Sequence, residues 1–153
     1  MPGPRWVLIG DMLEAQPHTV GDVMSRNIIA VGPEDPIGNI LDSMEQLRFR
    51  HLPVVEGDRL VGVVTQKDLL HASSSLFSDK AKERDAIIGK AHVKTIMQEA
   101  IITVSSKDSL AEAGRVMWEA KVGCLPVVDD DKLVGILTES DFIRVALWYL
   151  AKG

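Results

Sequence analysis

An internal duplication is the feature that most constrains this chain. The stretch GVVTQKD at 62–68 returns as GILTESD at 135–141, a shift of 73 residues. The same shift aligns 19–70 with 92–143 without a gap, and most of the identical pairs are apolar. Two copies that match at core-type positions are expected to share one backbone. The identical pairs include Val20/Val93, Met24/Met97, Ile28/Ile101, Ile29/Ile102, Val31/Val104, Leu52/Leu125, Pro53/Pro126, Val54/Val127 and Gly62/Gly135.

Each copy begins with the same predicted elements. A short run rich in β-branched residues, 28–31 or 101–104, predicts a buried strand. A helix follows, with Asp35 before Pro36 as its predicted N-cap and Asp108 at the equivalent position. The apolar residues of this helix recur at helical spacing. They are Ile37, Ile40, Leu41, Met44 and Leu47 in the first copy, and Leu110, Ala113, Met117 and Ala120 in the second.

A hairpin and a second helix complete each copy. Apolar runs at 51–55 and 60–64 flank a polar turn, the second copy repeats them, and a helix then starts at Thr65 or Thr138. The order β-α-β-β-α predicts an α+β fold, with the two repeats packed as a pseudo-two-fold pair because each is too small alone. The predicted organisation is an N-terminal extension over 1–18, the first repeat over 19–76, a linker with an exposed helix at 79–88 over 77–91, and the second repeat over 92–150.

Composition and charge exclude several classes of protein. The net charge is −5 and the basic residues form no stripe, so nucleic acid is not an expected partner. The most apolar segment, 142–151, contains Arg144 and is half the roughly 20 residues that span a bilayer. The single cysteine, Cys124, forms no intrachain disulfide, and the first ten residues lack the features of a signal peptide. The expected compartment is the cytoplasm.

No pattern of residues predicts catalysis or a metal site. The four histidines, at 18, 51, 71 and 92, fall at no metal-ligand spacing, and Cys124 has no Cys or His nearby in sequence. No Ser or Cys has a recognisable base partner, and no pair of carboxylates stands out. We therefore expect a protein that is not an enzyme and requires no cofactor.

The repeated heptad has two interpretations. Thr-x-x-Asp before an apolar helical run resembles a capping box, and Gly62 and Gly135 can simply permit close packing of backbone. Alternatively, a strand that runs directly into a helix directs unpaired N–H groups and the positive dipole end at a phosphate. An ionised Asp one turn later accepts both hydroxyls of a ribose, and the glycine leaves room for a flat ring.

The doubled motifs together resemble the cystathionine-β-synthase (CBS) domain, whose tandem pair is called a Bateman module. The motifs are MSRNIIAV, HLPVV and LVGVVTQKD in the first copy, and MQEAIITV, CLPVV and LVGILTESD in the second. The resemblance covers about 19–150. It implies a regulatory module that binds AMP, ADP, ATP or S-adenosylmethionine in clefts between the repeats, and a bound nucleotide can bring Mg²⁺ with it.

The resemblance also implies which residues bind the ligand. Phosphate and ribose contacts fall to Thr65, Asp68, Thr138 and Asp141, and base contacts fall to Ile29, Ala30, Ile102 and Thr103. The two residues before Leu-Pro, Arg50 and His51, are expected to face phosphates in the first copy. The second copy has Gly123 and Cys124 there, so the two clefts are expected to differ, with the Arg50 cleft the better polyphosphate site.

The expected partners follow from the same resemblance. The C-terminal helix is apolar on more than one face, which predicts a homodimer. Only 18 residues precede the repeats and three follow them, so we expect a stand-alone module that signals to an unknown effector protein in trans. The alternative is a dimerisation or interaction module that has no physiological nucleotide.

Overall fold

The structure, a computed structural model, describes residues 13, 15–40, 50–73 and 91–152. The predicted linker helix at 79–88, most of the N-terminal extension, and helix positions Leu41, Met44 and Leu47 lie outside the described residues. Residues 37–40 are helical, as predicted.

The described chain has mixed helix and strand content, and the predicted α+β class is confirmed. Both hairpins begin and end within about one residue of the predicted positions. The elements are α1 (Val20–Val23), β1 (His51–Glu56), β2 (Arg59–Thr65), α2 (Gln66–Ser73), a 3₁₀ turn (Val93–Thr95), α3 (Leu110–Ala120), β3 (Cys124–Asp129), β4 (Lys132–Thr138) and α4 (Glu139–Lys152).

The chain divides into two compact units, each with its own core. Unit 1 contains the start of the first copy, up to residue 28, together with 102–130 and 134–153 of the second copy. Unit 2 contains 29–101 and 131–133, so it combines most of the first copy with the start of the second. The core of unit 1 includes Val20, Met24, Leu110, Leu125 and Leu137. The core of unit 2 includes Ile37, Leu52, Val64, Leu69 and Val93.

The prediction of buried strands at 28–31 and 101–104 is wrong except for the last residue of each run. Val31 exchanges backbone hydrogen bonds with Pro53 and Val55 at 3.0 and 2.8 Å, and Val104 does the same with Pro126 and Val128 at 3.1 and 2.8 Å. Among the described residues, no strand pairing is present at 28–30 or at 101–103, and Ile29 and Ile102 are 45% and 44% exposed. Without a second neighbouring strand, these apolar runs are left uncovered.

The predicted N-cap of the first helix of the second copy is wrong by one position, and in the first copy the described helix begins at residue 37, two positions after Asp35. α3 begins at Leu110 with Ser109 as its N-cap, whose hydroxyl accepts from the Glu112 N–H at 3.3 Å. Asp108 instead accepts from the Ser105 N–H at 2.9 Å, and Asp35 accepts from the Gly32 N–H at 2.7 Å. Both carboxylates therefore close the turn that precedes the helix.

α4 has an unusual distribution of buried side chains. Its one buried residue is Asp141, while its large apolar residues stay half-buried or exposed. Among the described residues, no helix is long and apolar enough to cross a membrane.

Candidate ligand-binding sites

The repeated Thr and Asp form a reciprocal capping box at the start of α2, and at the start of α4 the Asp carboxylate makes its half of the same box. In unit 2 the Thr65 N–H donates to Asp68 Oδ2 at 2.8 Å, and the Asp68 N–H donates to Thr65 Oγ1 at 3.1 Å. In unit 1 the Thr138 N–H donates to Asp141 Oδ2 at 2.8 Å, and its hydroxyl lies 3.4 Å from the same oxygen. The capping interpretation is therefore confirmed. Each cap uses Oδ2 and leaves Oδ1 for another donor.

In unit 2 that other donor is Gln98, at the start of the second copy. Its Nε2 lies 3.0 Å from Asp68 Oδ1 and 3.3 Å from Oδ2. Gln98 is held there because its N–H and C=O pair with Val63 of β2 at 2.9 and 3.0 Å. Asp68 itself is half-buried, and the Gln98 side chain is exposed.

In unit 1 the second donor is Arg144, one turn further along α4. Its Nη1 lies 3.3 Å from Asp141 Oδ1, and the side chains of Arg144 and Asp141 are 37% and 10% exposed. Burial raises the pKa of Asp141 above its ordinary value of 3.8, and the hydrogen bond from Thr138 and the charge of Arg144 oppose this shift only in part. The two repeated carboxylates thus lie in different electrostatic environments.

The repeated glycine has a packing role. A Cβ on Gly62 would lie 2.6 Å from Met97 Sδ and 3.2 Å from the Gln98 carbonyl oxygen, and a Cβ on Gly135 would lie 2.6 Å from Met24 Sδ and 3.0 Å from the Ser25 oxygen. Our suggestion that these glycines leave space for a flat ring is wrong, because the repeated methionine occupies that space. Close packing of backbone is the interpretation that the contacts support.

Arg50 and His51 lie at the same end of the hairpin as the capping box. The Arg50 carbonyl accepts from the first N–H of α2, that of Gln66, at 2.9 Å, and His51 pairs with Thr65 across the hairpin. The Arg50 side chain is exposed, and among the described residues no carboxylate lies within ion-pair distance of it.

The equivalent position in unit 1 carries no cation. The Gly123 carbonyl accepts from the Glu139 N–H at 3.2 Å, so the backbone geometry is repeated. The following residue, Cys124, is buried, and burial raises the pKa of its thiol to about 11. The thiol is neutral near pH 7 and offers no charge to a phosphate.

The residues predicted to contact a base are accessible. Ile29 and Ala30 precede Val31 in unit 2, and Ile102 and Thr103 precede Val104 in unit 1. Ile29, Ile102 and Thr103 are exposed and Ala30 is half-buried. Within the described part of the chain, no hydrogen bond joins either pair to the capping box of its own unit. The structure therefore brings Arg50, His51, Thr65 and Asp68 to one end of the hairpin in unit 2, and among the described residues no hydrogen bond joins Ile29 or Ala30 to them.

Sequence reasoning missed the donors that occupy Asp68 and Asp141. Gln98 aligns with Ser25, and Arg144 aligns with His71, so neither belongs to the identical set. For Gln98 the available signal was a difference between the copies directly after an identical residue, Met97, and Arg144 had no such signal. The described residues contain no cluster of His, Cys, Asp and Glu that could hold a metal ion.

Comparison with known proteins identifies what the duplication matches. The profile of the CBS domain matches residues 20–75 and 93–147. The chloroplastic CBS domain-containing protein CBSX2 of Arabidopsis thaliana is 33% identical over 85% of this chain and 64% of its own length. MJ1225 of Methanocaldococcus jannaschii is 29% identical over 83% of this chain and 46% of its own length. Inosine-5′-monophosphate dehydrogenase of the same organism is matched over 25% of its length, at 30% identity.

Solved structures give the same result for the fold. A crystal structure of CBSX2 in complex with AMP has a TM-score of 0.74 and 31% identity, covering 88% of this chain and 99% of that chain. CBSX2 from Arabidopsis thaliana, solved separately, has a TM-score of 0.75 and 30% identity, covering 89% and 98%.

Proposed function

The chain belongs to the CBS-domain family, as its doubled motifs predicted, and from this premise we propose that it is a regulatory protein that binds adenosyl ligands. The ligand class is AMP, ADP, ATP or S-adenosylmethionine. The complex of CBSX2 with AMP supports an adenine nucleotide. The observation in this chain that carries the proposal is the carboxylate after each hairpin, Asp68 in one unit and Asp141 in the other. Each lies in the same frame, by which we mean the last strand of the hairpin, the Thr cap and the first turn of the following helix.

The chemistry of this frame suits a ribose phosphate. An ionised carboxylate accepts the two hydroxyls of a ribose, one on each oxygen. The N–H groups of Gln66 and Asp68 are already hydrogen-bonded, to the Arg50 carbonyl and to Thr65 Oγ1, so the feature that favours a phosphate at the start of α2 is the positive end of the helix dipole. In the proposed complex Thr65 and Thr138 contribute to the phosphate end, and Asp68 and Asp141 bind the ribose.

The base is proposed to contact Ile29 and Ala30 at one site and Ile102 and Thr103 at the other. The support is their exposure, because both isoleucines leave almost half of their surface uncovered in runs that are otherwise core-like. Free backbone groups in such unpaired segments can hydrogen-bond to the edge of an adenine. An apolar side chain covered by a planar base also loses its contact with water.

Phosphate is proposed to bind more strongly beside Arg50 than at the equivalent site of the second copy. The start of α2 carries Lys67 and has Arg50 and His51 next to it, whereas α4 begins with Glu139. A carboxylate in the first turn of α4 repels an incoming phosphate, and an arginine can donate two hydrogen bonds to one. A polyphosphate ligand, with or without Mg²⁺, is therefore assigned to the site that contains Asp68.

The regulatory output is proposed to pass to a separate effector protein, from a homodimer in the cytoplasm. Support for the dimer comes from exposed large apolar residues of α3 and α4 in unit 1. Ligand binding can shift the population of two arrangements only by its difference in affinity for them. The exposed residues are Trp118, Ile143, Tyr149 and Leu150, at 84%, 60%, 47% and 76%.

The test is calorimetric titration of the purified protein with AMP, ATP and S-adenosylmethionine. Asp68→Asn and Asp141→Asn each keep an oxygen for the cap while removing the charge, so each should abolish binding at one site without unfolding the protein. Wild-type protein that gives no binding heat with any adenosyl compound would contradict the proposal.

A dimerisation module without a nucleotide is the second candidate. The observation that favours it is the uncovered apolar surface of α4, which a partner helix would bury. The two candidates differ in one measurement, because only the first predicts that AMP raises the melting temperature. A ligand at a hundredfold over its Kd adds about 2.7 kcal/mol to the free energy of unfolding.

A further inference from the structure

The side chain of Gln98 stands where a ribose would bind Asp68. Its Nε2 donates across both carboxylate oxygens, at 3.0 and 3.3 Å, while the Thr65 N–H occupies Oδ2 at 2.8 Å. A carboxylate has about four acceptor positions. A vicinal diol with one hydroxyl on each oxygen therefore needs positions that the amide now fills.

Only the side chain of Gln98 has to move for the diol to bind. Its backbone is fixed on β2 by the two hydrogen bonds to Val63, and Gly62 lets this segment approach the strand closely. The side chain is exposed, so it can rotate into water without opening a cavity. Its amide then loses the charge-assisted hydrogen bond to the Asp68 carboxylate and hydrogen-bonds to water instead. The free energy of this exchange reduces the binding free energy of the ligand.

The second copy shows the same backbone with a different side chain. Ser25 pairs with Ile136 of β4 at 2.9 and 3.0 Å, as Gln98 pairs with Val63. The serine side chain is two atoms shorter than that of glutamine, and in the described part of the chain its hydroxyl makes no hydrogen bond to Asp141. That carboxylate is paired with Arg144 of its own helix instead. The two sites therefore differ in which donor a ligand must displace.

We propose that Gln98 is a specificity-determining residue of the site that contains Asp68, where its amide competes with the ribose diol for the carboxylate. This inference rests on the proposed function. It predicts that the site binds ligands with free 2′- and 3′-hydroxyls less tightly than its carboxylate would otherwise allow. It also predicts no such penalty for ligands that make no diol contact.

The test replaces Gln98 by the residue that the other copy already has. Gln98→Ser is made in the Asp141→Asn background, so that titration reports only the Asp68 site. AMP should bind roughly tenfold more tightly to the variant, equivalent to about 1.4 kcal/mol. The affinity for 2′,3′-dideoxyadenosine 5′-monophosphate should stay within about twofold, since this ligand has no diol. A merely structural role for Gln98 would change both affinities alike.

The reciprocal change is Ser25→Gln in the Asp68→Asn background. It places the competing amide on the equivalent frame and should weaken AMP binding at the Asp141 site severalfold. Unchanged or weaker AMP binding to Gln98→Ser, where the parent protein binds AMP, would overturn this inference and leave the proposed function intact. Absence of AMP binding to both the parent and Gln98→Ser would overturn both. Binding to Gln98→Ser alone would support the competition, with the amide blocking the site fully.

Discussion

The contact between Gly62 and Met97 predicts a specific cost for adding one methyl group. An alanine Cβ at 62 would lie 2.6 Å from Met97 Sδ and 2.9 Å from its Cγ, where ordinary contact begins at 3.4 Å. The shortfall to Sδ is 3.4 − 2.6, or 0.8 Å. The Gln98 carbonyl, at 3.2 Å, limits movement away from the new methyl group because it is hydrogen-bonded to β2.

The magnitude follows from two opposing effects. Overpacking of this kind destabilises a protein by about 1–3 kcal/mol. Replacing glycine by alanine also restricts the unfolded chain, which stabilises the protein by about 0.4–1 kcal/mol. Gly62→Ala should therefore lower the free energy of unfolding by roughly 0.5–2 kcal/mol.

Urea unfolding of a double-mutant cycle measures the contact directly. The cycle compares Gly62→Ala, Met97→Ala and the double variant with the wild type. Because Met97→Ala removes the Sδ and Cγ atoms that clash, alanine at 62 should be neutral or stabilising in that background. The expected coupling is about 1 kcal/mol or more. Additive effects would refute the reasoning, since they would mean that methionine is not what excludes a side chain at 62.

Gly32→Ala is the matched control. A Cβ at 32 would meet Asp35 no closer than 3.7 Å, which is ordinary contact, and the residue has no left-handed φ. This substitution should be neutral or stabilising by about 0.4–1 kcal/mol. The difference between the two glycines then reports packing at 62 and not a general effect of losing glycine.

Three further predictions use differences between the copies. Hydrogen bonds from Ser106, then Ser105, hold the pKa of Asp129 below its ordinary value of 3.8. The stability that Asp129 contributes is therefore present above its unfolded pKa and is lost as the pH falls through its folded pKa. Asp129→Asn should lower the melting temperature at neutral pH and reduce the fall in melting temperature on acidification. Arg50→Ala should weaken ATP binding about tenfold and leave adenosine binding unchanged by calorimetry, because in the proposed complex only the phosphates contact the guanidinium. If the proposed homodimer forms through α4, Ile143→Lys should convert it to a monomer in sedimentation, and a dimer that persists in the variant would exclude α4 from the interface.

The hairpins and helices were predictable because their signals are local. An apolar run, a polar turn and a second apolar run appear twice, so each copy checks the other. The caps were displaced because Asp35 and Asp108 are good acceptors for two different sets of N–H groups. Sequence alone does not decide whether such a carboxylate caps the helix or closes the turn before it.

Burial and partners were less predictable, because they depend on contacts between distant segments. A run such as Ile28 to Val31 suits either a buried strand or an uncovered segment with one pairing residue, and only Val31 is paired. The pairing of Gly62 with Met97 was visible as two identities in the duplication but not as a contact. Gln98 carried no signal on its own, since its role depends on facing a carboxylate 30 residues earlier.

Asp141 distinguishes the two interpretations of the heptad. Capping requires an acceptor oxygen at this position, but it does not require a negative charge. A neutral amide oxygen would accept from the Thr138 N–H equally well. Burial raises the pKa of Asp141, so its stabilising contribution is complete below the unfolded pKa and is lost as pH rises through the folded one. Keeping this carboxyl ionised in the folded protein is therefore a cost to folding, which a cap does not require and a ribose-binding site does. Asp141→Asn should therefore have opposite effects in two assays. AMP binding at this site should be lost, while the melting temperature at neutral pH should stay the same or rise. A fall in both would mean that the charge serves the fold through Arg144.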